Sequence, residues 1–186
     1  MLVGIDEVGR GCWAGPLVAA AVALPEVTIR GLKDSKLLNR QQRQRLDTII
    51  RVRALAIGVG WVSPQEIDSL GLSEATAQAM RRALEQITVA YTRIIIDGNV
   101  NYLRDNQLSS AVVQADRTVA AVSAASIIAK VARDTYMIDI AQDYPNYAFE
   151  SHVGYGTKLH RTRLQQYGIC NLHRRSFKPI QALEAS

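Results

Sequence analysis

Only two cysteines, Cys12 and Cys170, occur in 186 residues, and neither belongs to a CxxC pair or has a histidine at zinc-finger spacing. That count argues against a disulfide framework or a structural zinc. No apolar run is long enough to span a bilayer, and the opening Met1-Leu2-Val3-Gly4-Ile5-Asp6 lacks the charged and apolar regions of a secretion signal. A soluble cytoplasmic protein with no membrane partner is expected. Internal repeats, low-complexity stretches and linkers are missing too, and 48% hydrophobic content over 186 residues suits one well-buried core. A single domain over residues 1–186 is therefore expected. Acid is missing locally as well. Between Ser151 and Lys178 there is no Asp or Glu, against six basic residues (Lys158, Arg161, Arg163, Arg174, Arg175, Lys178) and all three histidines. With a net charge of +5, this predicts a basic helical C-terminal segment, about 151–186, presenting a cationic surface to a phosphate backbone.

What is present begins at Gly4-Ile5-Asp6-Glu7-Val8-Gly9-Arg10-Gly11, two adjacent carboxylates followed by an arginine between glycines. Neighbouring residues on a strand point to opposite faces, so Asp6 and Glu7 can serve one site only where the strand ends and its edge is open. Gly9 and Gly11 let the backbone come close to a ligand, and Arg10 offers planar donors that suit a phosphate. Taken alone, the octapeptide reads equally as a metal-dependent nucleic-acid site or as a solvated strand end before a glycine turn.

Periodicity orders the rest. Leu2 to Asp6 and Leu17 to Leu24 read as strands, the second apolar enough for a sheet centre. Asn39 caps a helix from Arg40 to about Arg53, and Ala54 to Val62 is a third strand. Ser63-Pro64-Gln65-Glu66 is a capping box, and Ser73 is expected to cap a helix through Ala90. Arg93 to Asp97 carries three consecutive isoleucines, the mark of a strand buried on both faces, with its carboxylate at the C-terminal end where α/β sheets build their sites. Val112 to Ala115 is a short fifth strand ending at Asp116, followed by an alanine-rich helix from Val119 to about Gln142. An α/β layered fold with a mixed five-stranded sheet follows.

Asp6, Glu7, Asp97 and Asp116 thus gather at strand ends. A carboxylate cluster without thiolates or imidazoles selects hard cations such as Mg²⁺ or Mn²⁺, and two such ions can clamp the attacking and leaving oxygens of a phosphodiester. Asp116 has a second reading as the cap of the long helix. Asp97 gains nothing structurally at the end of a buried run without a partner.

The chain closely resembles the type 2 ribonucleases H (ribonuclease HII) from residue 3 to about 179. The likeness rests on Gly4-Ile5-Asp6-Glu7-Val8-Gly9-Arg10-Gly11, Leu32-Lys33-Asp34-Ser35-Lys36-Leu37, Ile96-Asp97-Gly98 and Gln114-Ala115-Asp116. It extends through the run from Ser123 to Asp134, Gly154-Tyr155-Gly156-Thr157, and His173-Arg174-Arg175-Ser176-Phe177. The resemblance implies an RNase H-like fold with Asp6, Glu7, Asp97 and Asp116 as both the catalytic and the metal-binding set, holding two Mg²⁺ or Mn²⁺ ions. It implies cleavage of RNA in RNA–DNA hybrids and of single ribonucleotides in duplex DNA, leaving 3′-hydroxyl and 5′-phosphate ends. The Gly9-Arg10-Gly11 backbone would read the ribonucleotide, whose 2′-hydroxyl alone separates RNA from DNA, and Tyr155 would pack on the sugar of the following deoxynucleotide.

Lys36 is a candidate phosphate contact, although a surface lysine is ordinarily a solvated charge. Lys130 and Asp134 stand at helical i,i+4 spacing and can pair. His152, His160 and His173 read as nucleic-acid-facing or structural, not catalytic. Most relatives have alanine at Val8 and lysine at Leu37. The related type 3 enzymes carry lysine between the two glycines and an extra N-terminal domain, neither of which fits here. Gln181-Ala182-Leu183-Glu184-Ala185-Ser186 lacks the aromatic pair of a sliding-clamp motif, so no tail-mediated clamp binding is expected, and the chain is expected to be a monomer. A nucleic-acid-binding module without turnover and a junction resolvase of the same fold are the competing functions. Unneutralised acids repel phosphate in the first, and the second would lack Gly9-Arg10-Gly11 and Tyr155.

Overall fold

Five strands form one mixed sheet in a computed structural model that describes residues 1–25, 29–32 and 38–184. They are β1 (Leu2–Val8), β2 (Leu17–Ala23), β3 (Ala56–Val62), β4 (Arg93–Asp97) and β5 (Ser109–Val112), in the order β3-β2-β1-β4-β5. The first three pair antiparallel, whereas β4 lies parallel to β1 and β5 parallel to β4. The helices are α1 (Arg40–Arg53), α2 (Pro64–Leu70), α3 (Leu72–Leu84), α4 (Ala115–Thr118), α5 (Ala120–Ile140), α6 (Phe149–His152), α7 (Lys158–Tyr167) and α8 (Lys178–Glu184).

Strand alternation sorts the two faces. Val3, Ile5, Ala19, Ala21, Ile94 and Ile96 pack against Ala75, Ala79, Met80 and Ala83 of α3. Ala20 and Val22 pack against Leu46 and Ile50 of α1 and the small residues of α5, and Ile95 meets Ala115 and Val122. The alanine-rich face of α5 brings its backbone close to the sheet, which places whatever precedes α5 over the ends of β1 and β4.

The start and end signals of α1 and α2 act as the sequence predicts. Asn39 accepts from the Gln42 N–H at 2.9 Å while Gln42 answers through the Asn39 N–H, and Ser63 and Glu66 close the same reciprocal box. Three expectations need correction. Ser73 does not cap α3; Gly71 links α2 and α3 directly, its N–H bonding the Ile67 carbonyl and its carbonyl taking the Ala75 N–H. That helix ends at Leu84, short of Ala90, and Gln86 turns its side chain onto the edge strand at Val59. The fifth strand runs from Ser109 to Val112, earlier than its apolar portion suggests, because the Ser109 hydroxyl and Asn101 tie its polar start into the loop before it.

Beyond α5, Tyr147, Phe149, Leu164, Leu172 and Ile180 form a separate cluster with Ala14 and Met137. This attaches α6, α7 and α8 to the C-terminal half of α5 and to the turn after β1. Among the described residues no helix is long and apolar enough to cross a membrane.

Candidate active site

Register puts two of the acids side by side. Ile5 pairs with Ile96 across parallel strands, so Asp6 and Asp97 follow on neighbouring strands, and both point to the α5 face. Asp116 is contributed by the first turn of α4, after Gln114 takes up a left-handed conformation at φ 57°. Its N–H lies 3.3 Å from Asp97 Oδ1, and its carbonyl accepts the Ser123 hydroxyl. One oxygen from each of Asp6, Asp97 and Asp116 lies within 4.8 Å of the other two, and among the described residues this is the one cluster able to share an ion. Asp116 does not cap the long helix, whose cap position is Val119.

Glu7 falls outside this triad. Strand β1 does not end at Asp6 but continues through Val8, so parity sends Glu7 to the opposite face from Asp6. Pairing with β4 stops at Ile5, leaving that edge open, and Glu7 still feels the charge of Asp97. Arg10 holds its carboxylate at 3.7 Å while donating to the Tyr102 hydroxyl at 2.6 Å. The Arg10 guanidinium is thus partly committed to orienting Glu7.

Electrostatics fit a cation. Burial pushes the Asp6 carboxyl well above the usual range, with Glu7 and Asp97 adding repulsion against a hydrogen bond from Ser126. Glu7 is also raised, chiefly by burial, with Arg10 opposing and Asp97 adding to the rise. Oxygen-only donors, crowded and under mutual repulsion, are what a hard divalent ion would relieve.

The glycine turn is braced from within. Gly9 stands at φ +89°, and a Cβ there would meet Arg133 Nε at 2.3 Å. Gly11 has no such constraint: nothing lies within 4 Å of where its Cβ would be, so the opening faces outward. Arg174 and Arg133, both fully buried, tie this turn to the rest. Arg174 donates to the Arg10 and Gly15 carbonyls, and Arg133 to those of Ala14, Pro16 and Val153. Burial lowers Arg174 to about 10. This corrects the cationic surface expected of the C-terminal segment: Lys158, Arg161, Arg175 and Lys178 are exposed, but Arg174 is a core cation and the three histidines are buried.

Tyr155 is 39% exposed and close to the glycine turn, its hydroxyl tucked against Cys12 and its ring 5.6 Å from Lys130 Nζ. Burial of the hydroxyl and then Cys12 push its pKa up to about 12. The loop that carries it is tied down at both sides, since the Tyr155 N–H bonds the His152 carbonyl and its own carbonyl accepts the Thr157 N–H. Lys130 pairs with Asp134 at 2.8 Å as its spacing predicts. Lys36 and Leu37 lie outside the described residues. Val8 packs against the cluster beneath α5, which accommodates the departure from alanine.

Arg133 and Tyr102 are site residues that the sequence does not single out, and Arg174, marked there for its charge, is instead a brace of the glycine turn. For Arg133 a signal exists: it falls on the buried Ala125, Ala129, Met137 stripe of α5, where a solvated arginine has no place.

The buried histidines carry a pH signature. Burial, with His152 and His173 adding to it, lowers His160 to about 3, and burial lowers His173 to about 4. Unfolded imidazoles titrate near 6.5, so the stability that neutral burial confers is complete above that value and is lost as pH falls toward the folded values. Asp6 and Glu7 act in the opposite sense, so the histidine contribution is read by difference. In urea titrations the stability gap between wild type and His160→Asn should narrow by about 1.4 kcal/mol per pH unit between pH 6.5 and 4.5. A constant gap would mean that His160 is already protonated or solvent-exposed.

The family model for Ribonuclease HII matches residues 3–180. A curated Ribonuclease HII from Dichelobacter nodosus is 44% identical over 185 residues, covering 98% of this chain and 97% of that protein. One from Burkholderia pseudomallei is 47% identical over 182 residues, covering 97% and 85%. Among solved structures, the ribonuclease H2 of Pyrococcus horikoshii OT3 superposes with a TM-score of 0.83 at 29% identity, covering 99% of this chain and 97% of that one. The mixed sheet and its helices are therefore an RNase H-like fold, and the chain belongs to the ribonuclease HII family.

Proposed function

We propose that this chain is an endonuclease that cleaves RNA in RNA–DNA hybrids and at single ribonucleotides in duplex DNA, using two divalent ions. The observation that carries the reading is the triad Asp6, Asp97 and Asp116, contributed by β1, the end of β4 and the first turn of α4, with one oxygen of each within 4.8 Å of the others. These residues would hold Mg²⁺ or Mn²⁺, and Glu7, which lies outside the triad in this structure, would join them only by turning around the open edge of β1. When bound, such ions supply a water nucleophile at neutral pH and stabilise the leaving 3′-oxygen.

The protein's own residues then bind and orient. Gly9, Arg10 and Gly11 directly follow the strand that carries Asp6, and the open space at Gly11 lets a sugar approach the backbone. The donors and acceptors of that backbone can recognise a 2′-hydroxyl that DNA lacks. Arg174 holds the turn by the Arg10 carbonyl at 3.0 Å, so the reading surface keeps its distance from the acids. Tyr155, on the far side of Cys12, supplies a ring for the next sugar. Exposed Lys158, Arg161 and Arg175 give the electrostatic attraction for the duplex. Water displaces the 3′-oxygen at phosphorus, the P–O3′ bond breaks, and the products carry a 3′-hydroxyl and a 5′-phosphate.

Three duplexes test this with Mg²⁺ present: all-DNA, one strand wholly RNA, and one strand with a single internal ribonucleotide. The cut should fall within the RNA of the second, at the ribonucleotide of the third, and nowhere in the first. Cleavage of the all-DNA duplex, or a cut set by duplex shape instead of the ribonucleotide, would favour the resolvase reading.

A further inference from the structure

Tyr155 stands between α6 and α7, and hydrogen-bond logic fixes a proton on each of the three histidines beneath it. His160 Nδ1 lies 2.9 Å from the Tyr155 carbonyl, which only accepts, so Nδ1 carries the proton. His160 Nε2 is then bare and must accept from His173 Nε2, 3.0 Å away. His173 Nδ1 is bare in turn and accepts the Cys170 N–H at 2.9 Å. His152 donates from Nε2 to the Tyr147 carbonyl, accepts the Gly154 N–H at Nδ1, and stacks on His160 with ring centroids 4.3 Å apart. These assignments leave all three rings neutral, and the Cys170 carbonyl, 3.3 Å from His173 Nδ1, accepts from the His173 backbone N–H at 3.0 Å instead.

One end of this chain of bonds is the backbone of Tyr155. His160 is fully buried and cannot itself touch nucleic acid, yet it bonds the carbonyl of the residue whose ring is exposed. It lies in the first turn of α7, whose cap residue Thr157 donates its backbone N–H to the same carbonyl at 2.8 Å. Both lone pairs of that oxygen are thereby used, and the peptide plane that aims the ring is tied to a helix. Trp13 closes the arrangement from the glycine-turn side, its ring 5.9 Å from His160 and its backbone N–H on the Gly154 carbonyl.

We propose that His160, as the Nδ1–H tautomer oriented by His173, is a positioning residue that sets where the Tyr155 ring stands relative to Asp6, Asp97 and Asp116, and so sets selectivity for a lone ribonucleotide. The inference rests on the reading of Tyr155 as the ring that packs on the sugar after the ribonucleotide. A displacement of about 1 Å at a positioning group can cost a hundredfold in rate. The loss should fall on the substrate with a single RNA-to-DNA step, because an all-RNA strand offers no such step to misplace.

The test compares single-turnover cleavage of the lone-ribonucleotide duplex with that of the all-RNA hybrid in wild type, Tyr155→Ala, His160→Ala, His160→Gln and His160→Asn, with a melting temperature for each. Asn keeps an N–H near the Nδ1 position, whereas Gln places its amide near Nε2. Tyr155→Ala, His160→Ala and His160→Gln should each lower the ratio of the two rates by about tenfold or more, the size of one lost stacking contact. His160→Asn should restore it to within about threefold of wild type, whatever its melting temperature. If His160→Ala does not fold, the contrast between Gln and Asn carries the test. An unchanged ratio in Tyr155→Ala overturns the Tyr155 reading and this proposal with it. A ratio lowered in Tyr155→Ala but unchanged in His160→Gln, or equally lowered in Gln and Asn, overturns the positioning role alone.

Discussion

Asp97→Asn should abolish hybrid cleavage while leaving the protein folded and able to bind its substrate. The amide keeps the shape of the carboxylate but removes one of three charges that converge within 4.8 Å. Loss of several kcal/mol of transition-state stabilisation corresponds to about 10³-fold or more in rate. Stability should move the other way when no metal is present. The Asp6 carboxyl is raised by burial, then by Glu7 and Asp97, so the folded state holds its proton more tightly than the unfolded chain. The ionised cluster therefore costs stability in full above the raised folded value, and the cost shrinks as pH falls below that value and is gone below the unfolded pKa near 4. Removing Asp97 takes away one source of repulsion, and a melt in chelator at pH 7 should show a temperature equal to or above that of wild type. Cleavage within threefold of wild type would remove Asp97 from the metal site.

Chelation should be as damaging as the substitution, and reversible. Protein stripped with EDTA should cut no hybrid, and Mg²⁺ or Mn²⁺ should restore the activity. Ca²⁺ should support binding with little or no turnover, because it takes more oxygen ligands at longer and looser distances and holds the reacting oxygens poorly in line. Gel shifts and cleavage on the same samples separate the two effects. Full-rate cleavage after EDTA would contradict the metal-dependent reading entirely.

Much of this site is legible in the sequence. Asp97 stands out because a carboxylate closing Ile94-Ile95-Ile96 has no structural reason to be there. Asp6 follows once strand one is placed beside it. Glu7 is read less well: the sequence suggests a strand that ends at Asp6 and leaves both acids at one site, whereas β1 runs two residues further and parts them to opposite faces. Asp116 is harder. It reaches the cluster from a four-residue helix entered through a left-handed Gln114, a local conformation that residue type does not announce. The fifth strand starts earlier than periodicity indicates because loop hydrogen bonds hold its polar beginning, Ser109 and Ser110, in the sheet. Arg174 reads as surface charge in the sequence because its partners, the carbonyls of Arg10 and Gly15, come from the opposite end of the chain. Composition counts charges but not where they end up, and the histidine chain beneath Tyr155 depends on the same long-range assembly.

Binding of Mn²⁺ without substrate, followed by the loss of its free spin-resonance signal on titration, tests the carboxylate triad most directly because it needs no turnover. Wild-type protein should remove Mn²⁺ from solution, and Asp6→Asn, Asp97→Asn and Asp116→Asn should each weaken that uptake by at least about tenfold, since each withdraws one of three charged ligands. Undiminished Mn²⁺ uptake by all three variants would show that the ion is held elsewhere and that the triad is not the metal centre.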